Sequence, residues 1–166
     1  MPRSKAALPA CRAISCSRPV DPATGSSPLA THISWIGVID LSARRAIIAK
    51  GAAAPTASYS QGIAFGNVVV TAGQVGSDPV TGELKDGLGE QVRAAIANLA
   101  AVLAAEGLGL EDVVKTTCFL TNIDDFAEFD AVYREVFPQP LPARSTVGVA
   151  LAGDLLFEIE AWAVRP

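Results

Sequence analysis

Between residues 88 and 137 the chain carries two stretches with the 3.6-residue apolar period of an amphipathic helix. In the first, Leu88, Val92, Ala95, Ile96, Leu99, Val102 and Leu103 recur at steps of three and four, and Gly107 and Gly109 end the stripe. In the second, Phe126, Phe129, Val132, Tyr133, Val136 and Phe137 do the same. Residues 122–125 offer N-cap chemistry before it, and Pro138, Pro140 and Pro142 stop it. Elsewhere the period shortens. Arg44 to Lys50 predicts a short strand and residues 51–57 a loop. Ser60–Phe65 and Val68–Ala72 predict two strands around the tight turn Gly66-Asn67, where both residues tolerate positive φ. Asp78-Pro79-Val80-Thr81-Gly82 is a turn cluster. Asp112–Leu120 predicts a strand between the helices, and Ser145–Leu151 and Leu155–Val164 predict two closing strands around Ala152-Gly153-Asp154. The order β, β, β, α, β, α, β, β, with one apolar stripe per helix, predicts an α+β domain: one mixed sheet with both helices on the same face. The last strand is apolar on both sides, with Leu156, Trp162 and Val164 opposite Phe157, Ile159, Ala161 and Ala163. A sheet so built predicts association with further subunits.

Composition narrows the partners. The 166 residues are 50% hydrophobic, enough for one globular domain. Mean hydropathy is +0.35, yet no apolar run reaches the ~18 residues of a membrane span. Residues 1–50 hold seven Lys/Arg and two Asp/Glu, while residues 51–166 hold six and fifteen, a net of −9 for the body. Nucleic-acid binding needs clustered cations, so none is expected. Residues 1–35 have five Pro, six Ser, four Lys/Arg and the single acid Asp21, without helical or strand period. This predicts a disordered extension over residues 1–45 ahead of a domain over 46–166. The segment lacks a secretory apolar core. Its acid-poor Arg/Ser composition fits an organellar transit peptide, a functional tail, or an upstream extension without a role. The cytoplasm is the default location, an organelle the alternative. No Cys-x-x-Cys spacing exists, so no metal site is expected. Cys11 and Cys16 lie in the extension, His32 has no ligand partners there, and Cys118 sits in an apolar strand as a core residue.

Candidate chemistry is sparse. Arg144 opens a strand after a Pro-rich corner, where a guanidinium fork can bind a carboxylate through two parallel hydrogen bonds, or simply pair with a surface acid. Glu158 and Glu160 share one side of the last strand. Among Phe157, Ile159 and Trp162 such a carboxyl can be desolvated toward a pKa useful for proton transfer, or the strand face can be plainly solvated. Gly73-Gln74 ends an apolar strand where free N–H groups can face a ligand, and Tyr59-Ser60-Gln61 lies at a loop-to-strand junction.

Six ordered motifs then carry a resemblance. They are Tyr59-Ser60-Gln61, Thr71-Ala72-Gly73-Gln74, Asp78-Pro79-Val80-Thr81-Gly82-Glu83, Asp112 to Thr117, Pro142-Ala143-Arg144-Ser145-Thr146 and Glu158-Ile159-Glu160-Ala161. From about residue 46 to its end the chain resembles the RidA/YjgF family of reactive-intermediate deaminases. The resemblance implies a chorismate-mutase-like fold and a homotrimer with clefts between subunits. It implies hydrolysis of enamine/imine acids such as 2-aminoacrylate and its imine tautomer to a 2-keto acid and ammonia, without a cofactor. It assigns carboxylate binding to Arg144, water positioning to Glu158 rather than Glu160, the cleft tyrosine to Tyr59 and the backbone donor to Gly73. Tyr59 is expected to come from a neighbouring subunit, and the Thr146 hydroxyl to add a hydrogen bond. The chain departs from common members at Ala72 (often Ser), Thr146 (often Cys) and Asp130 (often Asn), and its last loop is about one residue short. Asp130 puts a negative charge beside the substrate-binding residues, which opposes an anionic substrate unless it is paired or turned away. The alternative is a non-catalytic trimeric carboxylate-binding or regulatory protein using the same cleft. A ribonuclease is disfavoured by the body's charge, and a chorismate mutase by its need for several well-placed cations.

Overall fold

The structure, a computed structural model, describes residues 44–166. The expected extension, with Cys11, Cys16 and His32, lies outside the described residues except for its last two positions. The elements are β1 (Arg45–Ile47), β2 (Gly62–Phe65), β3 (Val68–Thr71), β4 (Gln74–Val75), α1 (Leu88–Ala104), β5 (Val113–Leu120), α2 (Phe126–Val136), β6 (Ala143–Gly148) and β7 (Phe157–Val164). They build one mixed sheet of order β1-β2-β3-β7-β5-β6, with β4 also on β7. All pairs are antiparallel except β5 and β6, which α2 joins as a parallel crossover.

The helices form where the stripes predict. Every stripe residue of α1 is buried, and Gly107, at φ 71, lets the Leu108 N–H return to the Leu103 carbonyl and close the helix. Asn122 Oδ1 accepts from the Asp124 N–H at 3.1 Å in a 3-10 turn that leads into α2. Both helices pack on the same face of the sheet. Phe129 of α2 lies 5.2 Å, centroid to centroid, from Phe157 of β7, within the core that α1 also fills.

Two strand expectations need correction. The strand expected over Arg44–Lys50 ends at Ile47, because the buried Gln61 side chain takes over the next backbone groups. Its Oε1 accepts from the Ala49 N–H at 2.8 Å and its Nε2 donates to the Ala49 carbonyl at 3.0 Å. The strand expected over Val68–Ala72 breaks after Thr71 and resumes as β4. Val70 pairs with Trp162 but Gln74 pairs with Ile159, so residues 71–73 stand opposite only two residues of β7, which is a bulge. The Thr71 hydroxyl fills the gap in the ladder, accepting from the Ala161 N–H at 3.0 Å.

The register sorts side chains onto two faces, and that sorting positions the chemistry. Phe157, Ile159, Ala161 and Ala163 face the helices and are buried. Glu158, Glu160, Trp162 and Val164 therefore face the other way, and Trp162 is 48% exposed. Cys118 pairs with Ile159 on one side and Thr146 on the other, and Thr116 pairs with Ala161 and Arg144. Partners across a ladder share a face, so Arg144 and Thr146 lie on the helix face. Among the described residues no helix is long and apolar enough to cross a membrane.

Candidate functional site

The bulge at Ala72-Gly73 makes the floor of a cleft of about 450 Å³ on the face away from the helices. Thr56, Tyr59, Ala72, Gly73, Leu155 and Glu158 line it. Gly73 has no side chain for a specific reason. A Cβ there would stand 2.6 Å from Glu158 Cδ and 2.9 Å from Cγ, and would overlap Oε1. The Glu158 carboxylate thus lies directly against bare backbone. Burial, reinforced by the neighbouring charge of Glu160, raises its pKa above the ordinary carboxylate value. Tyr59 is half exposed at the mouth, and its hydroxyl accepts from the Thr56 N–H at 3.4 Å.

Three buried amides hold this cleft in shape. Gln61 also donates to the Ala53 carbonyl at 2.9 Å, fixing the loop that leads to Tyr59. Gln91 accepts from the Leu156 N–H at 2.8 Å and donates to the Asp154 carbonyl at 3.3 Å, fixing the loop that carries Leu155. Asn98 donates to the Val75 and Ser77 carbonyls at 3.0 and 2.9 Å, holding the chain as it leaves β4. Gln91 and Asn98 are not among the candidate residues that the sequence suggests. The available signal is that both sit seven residues apart on the border of the α1 stripe, a buried track shared with Ala95 and Val102.

A second cluster forms on the helix face. The Arg144 side chain, 21% exposed, lies over three rings of α2: its Cζ is 4.6 Å from the Tyr133 centroid, 4.9 Å from Phe129 and 5.4 Å from Phe126. The Tyr133 hydroxyl shares a 2.8 Å hydrogen bond with Thr116 Oγ1, and burial pushes its pKa up to about 12. Arg144 Nη2 contacts Asp130 Oδ1 at 2.8 Å, and Arg134 Nη2 donates to Asp130 Oδ2. The hydrogen bond from Arg144, followed by that from Arg134, holds the Asp130 carboxyl below its ordinary pKa against the opposing effect of desolvation. Asp130 is therefore a paired anion. Thr146 lies two residues further along β6 on the same face.

The six expected site residues thus fall into two groups. Tyr59, Gly73 and Glu158 meet in one cleft. Arg144, Asp130 and Thr146 gather against α2. The groups occupy opposite faces of one sheet, so within a single chain Arg144 and Glu158 do not approach a common ligand. Cys118 is fully buried, and its thiol is pushed up to about 12 by desolvation, as suits a core residue. Among the described residues no three His, Cys, Asp or Glu side chains are close enough to hold a metal ion.

The family described as endoribonuclease L-PSP matches residues 50–165. A RutC family protein of Pyrococcus abyssi is 42% identical over 125 residues, covering 74% of this chain and 98% of the relative. The 2-iminobutanoate/2-iminopropanoate deaminase of Escherichia coli is 40% identical over 125 residues, covering 73% of this chain and 98% of the relative. The crystal structure of RidA from the Antarctic bacterium Psychrobacter superposes with a TM-score of 0.71 at 37% identity, covering 73% of this chain and 99% of that one.

Proposed function

This chain belongs to the RidA/YjgF family, whose matching description is endoribonuclease L-PSP, and from that premise we propose that it hydrolyses 2-imino and 2-enamino acids to 2-keto acids and ammonia. The observation that carries the reading is a carboxylate held at raised pKa against bare backbone at Gly73, with a cation of complementary use on the opposite face. The proposed site is completed between two chains of a homotrimer. One chain brings Tyr59, Gly73 and Glu158, and its neighbour brings Arg144 and Thr146 from the sheet edge at β6. Tyr59 and Glu158 line the same cleft of one chain, so in this reading it is relative to Arg144 that Tyr59 comes from a neighbouring subunit.

In this reading Arg144 grips the substrate carboxylate and fixes its orientation, which removes much of the entropic barrier. The rings of Phe126, Phe129 and Tyr133 beneath Arg144 hold the guanidinium in place for bidentate pairing. Asp130 takes one nitrogen of the fork and leaves other donors for a second carboxylate. Glu158 accepts a proton from a water as the water oxygen bonds to C2 of the imine. In the carbinolamine formed from the protonated imine, Glu158 returns that proton to the nitrogen, the C2–N bond breaks to release ammonia as the C2 hydroxyl gives its own proton to Glu158, and C2 becomes the ketone; the ammonia then carries that last proton away as ammonium. The Thr146 hydroxyl and the backbone N–H at Gly73 add hydrogen bonds to the bound acid. Imines hydrolyse in free water too, so the acceleration required is modest.

The endoribonuclease description is not favoured for this chain. The cations Arg45, Lys85, Arg93, Arg134, Arg144 and Arg165 are each paired with an acid, and residues 51–166 carry net −9 with no histidine for acid–base chemistry on RNA. Release of keto acid from imine generated in situ by a serine dehydratase tests the proposal. Accelerated hydrolysis is expected, and keto-acid binding without turnover identifies the non-catalytic alternative.

A further inference from the structure

The charges around Arg144 form a line. Arg134 and Arg144 both contact the one carboxylate of Asp130, one oxygen each. Arg134 is exposed and sits one helical turn after Asp130 on α2, while Arg144 comes from β6. No other described acid reaches Arg144. The site that meets the substrate is therefore the inner end of a cation–anion–cation row with a net charge of +1 rather than a lone cation.

Substrate and product differ in charge at the carbon that reacts. A protonated 2-imino acid is a zwitterion, with a cationic nitrogen beside its carboxylate. The 2-keto acid that results has the same skeleton and only the negative charge. An anion fixed on the carboxylate clamp attracts the first and repels the second. Resting on the carboxylate-clamp reading above, we propose that Asp130 is a specificity-determining residue: through its place on Arg144 it favours zwitterionic amino and imino acids over keto acids and so speeds product release, and Arg134 sets how strongly it does so.

The row makes a prediction in which the two single variants, at Asp130 and at Arg134, have opposite signs. Asp130→Asn removes the anion and leaves two cations, so simple carboxylates bind more tightly. Arg134→Gln leaves the anion less compensated, so they bind more weakly. The double variant restores the net charge and returns close to the parent. Arg134 is solvent-exposed and Asp130→Asn is isosteric, so neither change threatens folding.

The probes are pyruvate and L-alanine, which share a carbon skeleton but differ in the charge on C2. Titration calorimetry on the full-length protein at low salt measures both. With one charge at partly solvated contact range, pyruvate affinity is expected to rise about fivefold in Asp130→Asn and to fall about threefold in Arg134→Gln. L-alanine is expected to change less, or in the opposite direction. Added salt should shrink these differences. If Asp130→Asn alters the two probes equally, or leaves pyruvate unchanged, the discrimination role is wrong while the clamp stands. If the parent protein binds neither probe, the clamp reading itself fails, and this inference with it.

Discussion

Replacing Gly73 by alanine separates the chemistry from the fold. The backbone at Gly73 is outside the left-handed region, so alanine is not strained there. The new methyl, however, arrives 2.6 Å from Glu158 Cδ and 2.9 Å from Cγ, where carbon–carbon contact needs about 3.5 Å or more. The carboxylate must withdraw by roughly 1 Å, and a displacement of that size at a reacting group costs about 100-fold in rate. The obstacle is the far end of a flexible side chain facing an open cleft, so the fold absorbs it by rotation. Loss of backbone freedom in the unfolded chain contributes about 0.4–1 kcal/mol in favour of alanine. Thermal unfolding should therefore stay within about 5 °C of the parent. The dehydratase-coupled assay, with semicarbazide trapping unhydrolysed imine, should show kcat/KM reduced about 100-fold. Unreduced kcat/KM in a folded Gly73→Ala protein would refute the placement of Glu158 as the group that handles water.

Arg144→Ala should abolish most turnover, about 100-fold or more, because Arg144 is the cation that the α2 rings hold in place, and Arg144→Lys should recover little, lacking the planar fork; keto-acid release checks both. Glu158 must be ionised to take a proton, and its pKa is raised first by burial and then by Glu160. Turnover should thus rise with pH through that raised value, and Glu160→Gln should move the acid limb of the kcat profile to lower pH. Glu106, nearly covered, binds Arg45 through two 2.7 Å hydrogen bonds and also Arg165, tying β1 and the chain end to the turn after α1. The hydrogen bond from Arg45, more than any other cause, depresses its pKa. The stability it contributes is present above its ordinary value of 4.5 and is lost as pH falls through the lower folded value. Glu106→Gln should cost about 1–3 kcal/mol at neutral pH in urea unfolding and flatten the acid dependence. Gly76→Ala should do what Gly73→Ala does not, because its Cβ would meet the α1 backbone at Gln91 with the carbonyl oxygen 2.6 Å away. Helix and strand would have to part, so a large fall in melting temperature is expected.

Local pattern carried most of the fold. The two stripes, the Gly66-Asn67 hairpin and the 78–82 turn depend on residues near one another in sequence, and each element formed where it was expected within a few residues. The failures all depend on distant partners. Nothing near Ile48 marks the end of β1, since the side chain that stops it is Gln61. Nothing near Ala72 marks the bulge, which is set by the register on β7 and by the Thr71 hydroxyl. The candidate site was legible as residue types but not as geometry. Spacing places Arg144, Thr146 and Glu158 on strands. Only the pairing of β6 with β5, and of β5 with β7, reveals that Arg144 and Glu158 point to opposite faces. Asp130 likewise stands out in the sequence as a charge needing a partner, and the fold supplies Arg144 and Arg134.

Whether one site draws on two chains is tested most directly by mixing two inactive variants. Arg144→Ala and Glu158→Gln proteins are unfolded together in equal amounts, refolded, and assayed for keto-acid release. If each site takes Arg144 from one chain and Glu158 from its neighbour, random assembly leaves about a quarter of the sites intact, and activity should return to about a quarter of the parent's. Activity no higher than that of either variant alone, in assemblies shown to be mixed, would contradict the two-chain site.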